Sequence, residues 1–189
     1  MKKHLITALL MTMVTTILLG IVYPLIVTGL AHVLFPKKAA GQMIVQNGEA
    51  VGSRIIAQPF TGAKYFHPRP SAAGNGYDAA NSGGTNYAST NKKLIDRVQS
   101  DAAGMEKEQP NRPIPVDLIT TSASGLDPEI SPAAAEYQVA RVAQERGVSE
   151  SIVRALVQKY TYQRDLGLFG EPRVNVLELN LALDQLAKQ

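Results

Sequence analysis

The residues best suited to chemistry are few. His67 stands near Ser71 and Asp78, the residue types of a base, a nucleophile and its orienter. Pro68 and Pro70 hold that stretch extended, and no G-x-S-x-G elbow presents a nucleophile, so a surface histidine is the reading. His4, His32 and His67 lie far apart, and a metal centre built on them would need other ligands. The chain has no cysteine, which excludes a disulfide framework, a thiolate nucleophile and a cysteine-based zinc or iron–sulfur site.

Phosphate chemistry is equally sparse. Neither a GxxxxGK[ST] loop nor a DKTGT segment with a phosphorylatable aspartate occurs, so any ATP hydrolysis must take place on another chain. Ser82, Gly83 and Gly84 resemble a phosphate-cradling turn but have no following lysine and no clear helix start. Ser124 to Pro128 is rich in turn formers, and Asp127 there can accept from the following amides or favour the next helix N-terminus. The same amides could meet a phosphate. Gln138, Arg141 and Arg146 stand on or near that helix and could face a partner, as could Asp127. No cofactor is assigned on these residues.

The element that must position everything is at the amino terminus. From Leu5 to Phe35 the chain runs 31 residues without Lys, Arg, Asp or Glu, whereas a bilayer-spanning helix needs roughly 20 apolar residues. The run is too long for a signal peptide and lacks a small-x-small cleavage site near its end, so it reads as a retained anchor. Thr12, Thr16, Gly20, Pro24 and Thr28 recur every four residues, a stripe of small or polar groups that would let another membrane helix approach closely. Pro24 also leaves a backbone carbonyl without its usual donor, which suits packing against protein.

Charge places few limits. Beyond Phe35 there are 17 Lys and Arg against 16 acids and no basic run longer than two, so nucleic acid is set aside. Lys2 and Lys3 on one side and Lys37 and Lys38 on the other balance each other, and charge alone does not orient the helix.

The remainder is the size of one domain. Pro36 to Gly41 reads as a polar exit from the membrane, and Met43 to Val45 with Val51 to Ala57 as a hairpin turned at Asn47 and Gly48. His67 to Asn91 contains no Leu, Ile, Val, Met or Phe and is glycine-rich; such a stretch is a binding loop or is disordered. Arg69, Tyr77, Gly83, Gly84 and Tyr87 suit an ordered interface there. Asn91 to Lys107 predicts a helix with Leu94, Ile95 and Val98 inward, and Val116 to Thr120 a buried strand. Ser131 and Pro132 open a helix that ends before Gly147, and Ser149 caps another reaching about Tyr160. Leu177 to Leu186 fits both periods, with helix favoured by its length. The expectation is an α+β chain: a transmembrane helix over residues 1–35, then a single mixed soluble domain over 36–189 with several helices and a small sheet.

Several segments together resemble a known family. Lys64, Tyr65, Phe66 with Arg69, Pro70, Ser71, Ala72; Ser82, Gly83, Gly84; Asp117, Leu118 to Gly125, Leu126, Asp127, Pro128; and Asn175, Val176, Leu177 with Leu179, Asn180 are similar to the C subunit of the bacterial Kdp potassium-transporting ATPase. The resemblance covers nearly the whole chain. It implies a non-catalytic accessory subunit of an ATP-driven potassium importer, beside a channel-like potassium-translocating subunit and a P-type ATPase subunit. It further implies a role in assembly, a chaperone-like increase of ATP affinity on the hydrolysing subunit, and ATP involved only indirectly. The location it implies is the inner (cytoplasmic) membrane, with a single pass in contact with lipid, a cytoplasmic N-terminus and the soluble domain outside. An alternative from the residues alone is an independent anchored envelope hydrolase using His67. A pilin-like filament subunit would need an early glutamate in the span, and Leu5 to Phe35 has none.

Overall fold

The computed structural model describes residues 1–186, and the chain divides into two compact units, Met1–Val51 and Gly52–Gln189. In the first unit one helix runs over Lys2–Leu34, 33 residues whose most apolar window has a mean hydropathy of 2.4. At about 1.5 Å per residue it exceeds the roughly 30 Å apolar core of a bilayer. It comprises α1 (Lys2–Ile17), a π turn (Leu18–Val22) and α2 (Tyr23–Leu34). The wide turn ends two residues before Pro24, whose ring would collide with a carbonyl of the preceding turn and whose nitrogen has no proton to give. Instead the Tyr23 N–H reaches back five residues to the Leu18 carbonyl. Four residues of α-helix overshoot a full turn by roughly 40°. A π turn holds more residues per turn, so it takes back part of that drift between Thr16 and Pro24 and straightens the small-residue stripe.

Polar side chains in this helix bond to its own backbone. Thr15 Oγ1 donates to the Met11 carbonyl at 2.8 Å and His32 Nδ1 to the Thr28 carbonyl at 2.9 Å, as an apolar surrounding requires. Where the sequence suggested a plain exit, Pro36 starts a one-turn helix, α3 (Pro36–Ala39), its fixed φ suiting the first helical position. A hairpin follows, β1 (Met43–Gln46) and β2 (Glu49–Ser53), turned by Asn47 and Gly48 at φ 53° and 85°. Its second strand stops at Ser53, short of Ala57, because the Ser53 hydroxyl takes the Ile55 N–H and bends the chain.

In the second unit the helical hairpin of α5 (Pro132–Arg146) and α6 (Glu150–Lys159) packs with α7 (Val176–Leu186) and a three-stranded antiparallel sheet ordered β3 (Glu129–Ile130), β5 (Arg173–Asn175), β4 (Thr161–Tyr162). Val139, Val142, Val153, Leu179 and Leu183 form the core with Phe66. Ser131 Oγ caps α5 by accepting from the Ala134 N–H at 3.0 Å, and Gly147 ends it at φ 65°. Asn175 Oδ1 accepts from the Glu178 N–H at 3.1 Å and so fixes the start of α7, which settles the leucine-rich segment as helix.

Three local expectations are corrected. Val116–Leu118 is a 3₁₀ turn, not a buried strand: Pro113 and Pro115 cannot donate to a ladder, Val116 is 68% exposed, and only Leu118 of the three is buried. In α4 (Lys92–Glu108) the expected inward residue Ile95 is 42% exposed and no residue of the helix is fully buried. Ser149 precedes α6 but gives no side-chain cap, its hydroxyl lying 2.9 Å from that of Ser151.

Candidate functional site

The segment Ala63–His67 has no regular partner strand, yet each of its five carbonyls accepts a side-chain donor. Arg141 bonds Ala63 and, at 3.0 Å, Tyr65; Arg146 bonds Lys64 at 2.6 Å; Asn180 bonds Phe66 at 2.9 Å; Gln138 bonds His67 at 3.1 Å. The same two amides accept in return, Asn180 Oδ1 from the Phe66 N–H at 2.9 Å and Gln138 Oε1 from the His67 N–H at 2.8 Å. Helices α5 and α7 thus hold this strap, which opens in a turn closed by the Tyr65 N–H on the Gly62 carbonyl at 3.0 Å, through side chains, and Phe66 is driven fully into the core. Gln138, expected to face a partner, is 4% exposed and faces inward because it serves this strap. Arg141 and Arg146 serve it too, and Arg146 also meets Asp184 at 2.8 Å.

The glycine-rich stretch is ordered against residues 120–127. Ser71 Oγ donates to the Gly125 carbonyl at 2.6 Å and accepts from the Tyr77 N–H at 2.7 Å, while Tyr77 Oη donates to the Arg69 carbonyl at 2.8 Å. The Gly83 N–H bonds the Ser124 carbonyl at 2.8 Å. A Cβ on Gly84 would come within 3.0 Å of the Ala123 carbonyl. Tyr87 is 41% exposed. Ser71 and Gly83 are therefore engaged in holding the loop; the Ser71 hydroxyl has no histidine on it, and the Gly83 amide is not open to a phosphate.

Arg69 joins this loop to the opening of α5. Its guanidinium meets Asp127 Oδ2 at 3.1 Å and the Thr121 carbonyl at 3.2 Å. Asp127 Oδ1 accepts from the Glu129 N–H at 3.0 Å, as its position predicted. Asp117, which sequence reasoning gave no role, accepts from both the Ser131 N–H at 2.7 Å and its hydroxyl at 3.1 Å. The outward amides of Glu129 in β3 and of Ser131 just after it are thereby covered by carboxylates, which guards the sheet edge. A cleft of about 450 Å³ lies here between Arg69, Val116, Asp127 and Pro172. With Asp117, Asp127 and Glu129 around the α5 start, a phosphate would meet negative charge rather than free amides. Burial pushes the Glu129 carboxyl up, with Arg173 opposing and Asp127 adding to the rise.

His67 is half-buried, not a surface residue, and its ring nitrogen Nε2 donates to the Gly62 carbonyl at 3.2 Å. Burial pulls its pKa below the ordinary value and Arg141 adds to the fall, while the Gly62 carbonyl and Glu108 oppose it. The unfolded chain therefore holds more protons just below the unperturbed value near 6.5. This contribution to stability is complete above about pH 6.5 and is lost as pH falls through the lowered folded value. His67→Gln should flatten the pH dependence of the melting temperature below about pH 6.5; an unchanged slope would remove His67 as its cause.

Among the described residues nothing assembles a nucleophile, a base and a bound phosphate; the geometry is that of a braced body, and the chain opens with a long apolar helix. A family model described as "K+-transporting ATPase, c chain" (KdpC) matches residues 5–185. The chain belongs to that family. The Potassium-transporting ATPase KdpC subunit of Koribacter versatilis is 66% identical over 97% of this chain and 95% of its own length. The subunit of the same name from Acidobacterium capsulatum is 54% identical over 97% and 99%, and that from Rhodospirillum rubrum 51% over 98% and 97%. The KdpC membership makes the chain an accessory subunit of a potassium-transporting ATPase, working in complex with other Kdp subunits. The segments whose resemblance suggested this form the strap, the pinned glycine loop and the α7 cap.

Like Asp117, Asn180 and Asn175 were left without roles by sequence reasoning. A signal existed for both, since an uncharged polar side chain interrupts an otherwise apolar run at each place.

Proposed function

We propose that this KdpC chain assembles and tunes the pump. Its helix packs laterally among the membrane segments of a channel-like potassium-translocating subunit and a P-type ATPase subunit, in lipid of the inner membrane. Its domain lies outside the cytoplasm with the N-terminus inside, and residues 1–35 and 36–189 act as anchor and body. In this reading the chain raises the ATP affinity of the hydrolysing subunit and binds no nucleotide itself. The single observation that carries it is the helix: none of its most apolar window is covered by the rest of the chain. Its stripe from Thr12 to Thr28 offers another helix a close approach. An outside domain cannot touch cytosolic ATP, so the coupling passes through membrane helices or the channel-like subunit, as a free energy shared between sites.

Deleting Lys2 to Phe35 should abolish co-purification with the ATPase subunit, and retained stoichiometric binding would count against the helix as the link. Orientation is tested separately. The chain has no native cysteine, so Ser82→Cys in intact cells should react with a membrane-impermeant thiol reagent. Protection of that thiol would place the domain in the cytoplasm.

A further inference from the structure

Away from the strap and the cleft, the connection between β4 and β5 holds Leu166, Leu168 and Phe169 in water, 88%, 75% and 64% exposed. The turn is firmly built. Asp165 and Phe169 exchange two backbone bonds of 2.8 and 2.9 Å, and the Gly167 N–H closes on the Arg164 carbonyl at 3.0 Å. Below them Arg164 meets Glu171 at 2.6 Å, while Arg173 meets Asp165 at 3.2 Å and Glu129 at 3.1 Å. Leu166 sits at φ 54°, the left-handed region where a branched side chain is strained and where Asn or Gly would be both relaxed and better solvated. A mere connector gains nothing from that choice.

Two features favour a protein pocket as the occupant. The flanking arginines are matched by carboxylates, so no net positive charge remains to draw the tip to anionic headgroups. The tip is also pre-shaped by its bonds and ion pairs, which lowers the ordering cost of docking into a complementary cavity. Membership of a multisubunit pump supplies such a partner in the same membrane. We propose that Leu166, Leu168 and Phe169 form a knob that inserts into an apolar pocket on another subunit of the same ATPase. This rests on the accessory-subunit reading above and names one face through which the domain docks.

The experiment uses the assembled complex. Leu168→Cys gives the chain its single thiol, which is charged with benzophenone maleimide and irradiated. The expected result is an adduct joining this chain to another subunit, with none from Gln158→Cys on the exposed side of α6. Adding Leu166→Asn should lower the yield about tenfold while the melting temperature of the full chain stays level or rises, because strain is relieved. An adduct to lipid alone, an adduct to a second copy of this chain, no adduct, or a yield indifferent to Leu166→Asn would each overturn the knob. If the Leu168→Cys chain co-purifies normally and the tip gives no subunit adduct, only the knob fails. If the unsubstituted chain does not co-purify at all, the accessory-subunit reading fails with it.

Discussion

Asn180→Ala is expected to destabilise the soluble domain by about 3–5 kcal/mol, the upper range for a single substitution. The side chain is fully buried and holds both the N–H and the carbonyl of Phe66 at 2.9 Å. Truncation strands two buried backbone groups at about 1–3 kcal/mol each and adds a small cavity. Water cannot readily replace the amide, because Phe66 beside it is itself 0% exposed. Asn180→Asp should also be costly: the carboxylate can still accept from the Phe66 N–H but faces the Phe66 carbonyl with a second acceptor. The measurement is a urea titration of the full chain in detergent, followed by near-ultraviolet circular dichroism. A loss below about 1 kcal/mol would mean that the clasp does not hold the strap.

Gly125→Ala should release the glycine loop from the body. Gly125 lies at φ 67°, and a Cβ there would stand 2.6 Å from the Ala73 nitrogen and 2.7 Å from the Gly83 carbonyl oxygen. Both obstacles are backbone, so no side-chain rotation relieves them. Separation of the two segments removes the Ser71 bond to Gly125 and the Gly83 bond to Ser124. A local loss of about 2–4 kcal/mol corresponds to roughly thirtyfold to several-hundredfold faster amide exchange over residues 71–84. Gly83→Ala is the control, since a Cβ added there would meet no atom within 4 Å. Equal protection in Gly125→Ala and Gly83→Ala would show that the close approach is not what orders the loop.

These two sites show how differently parts of the molecule were written into the chain. The long apolar helix is a local property: 31 residues without a charge need no tertiary partner to be recognised, because a run long and apolar enough to cross a bilayer is read from composition wherever the rest of the chain lies. The helix over Pro132–Arg146 was equally legible, since Ser131, Pro132 and Gly147 act on the backbone beside them. The ordered motifs from Lys64 to Asn180 sufficed to indicate the family before any coordinates.

Other features depend on residues that only the fold brings together. Phe66 and Asn180 are 114 positions apart, and no local pattern announces that one will clasp the other. Strands of two or three residues, such as Glu129–Ile130 and Thr161–Tyr162, are too short to show a period of two, and their pairing to Arg173–Asn175 is wholly non-local. Val116 and Ile95 are β-branched and looked inward by pattern, yet which face is covered depends on what packs there. Sequence therefore determined the long apolar helix, the capped helix and the family, where backbone propensity and hydropathy act over a few neighbouring residues. Tertiary structure alone decided that Gln138 and Arg141 brace the strap while Leu166, Leu168 and Phe169 stand in water, because burial is a property of the assembled surface.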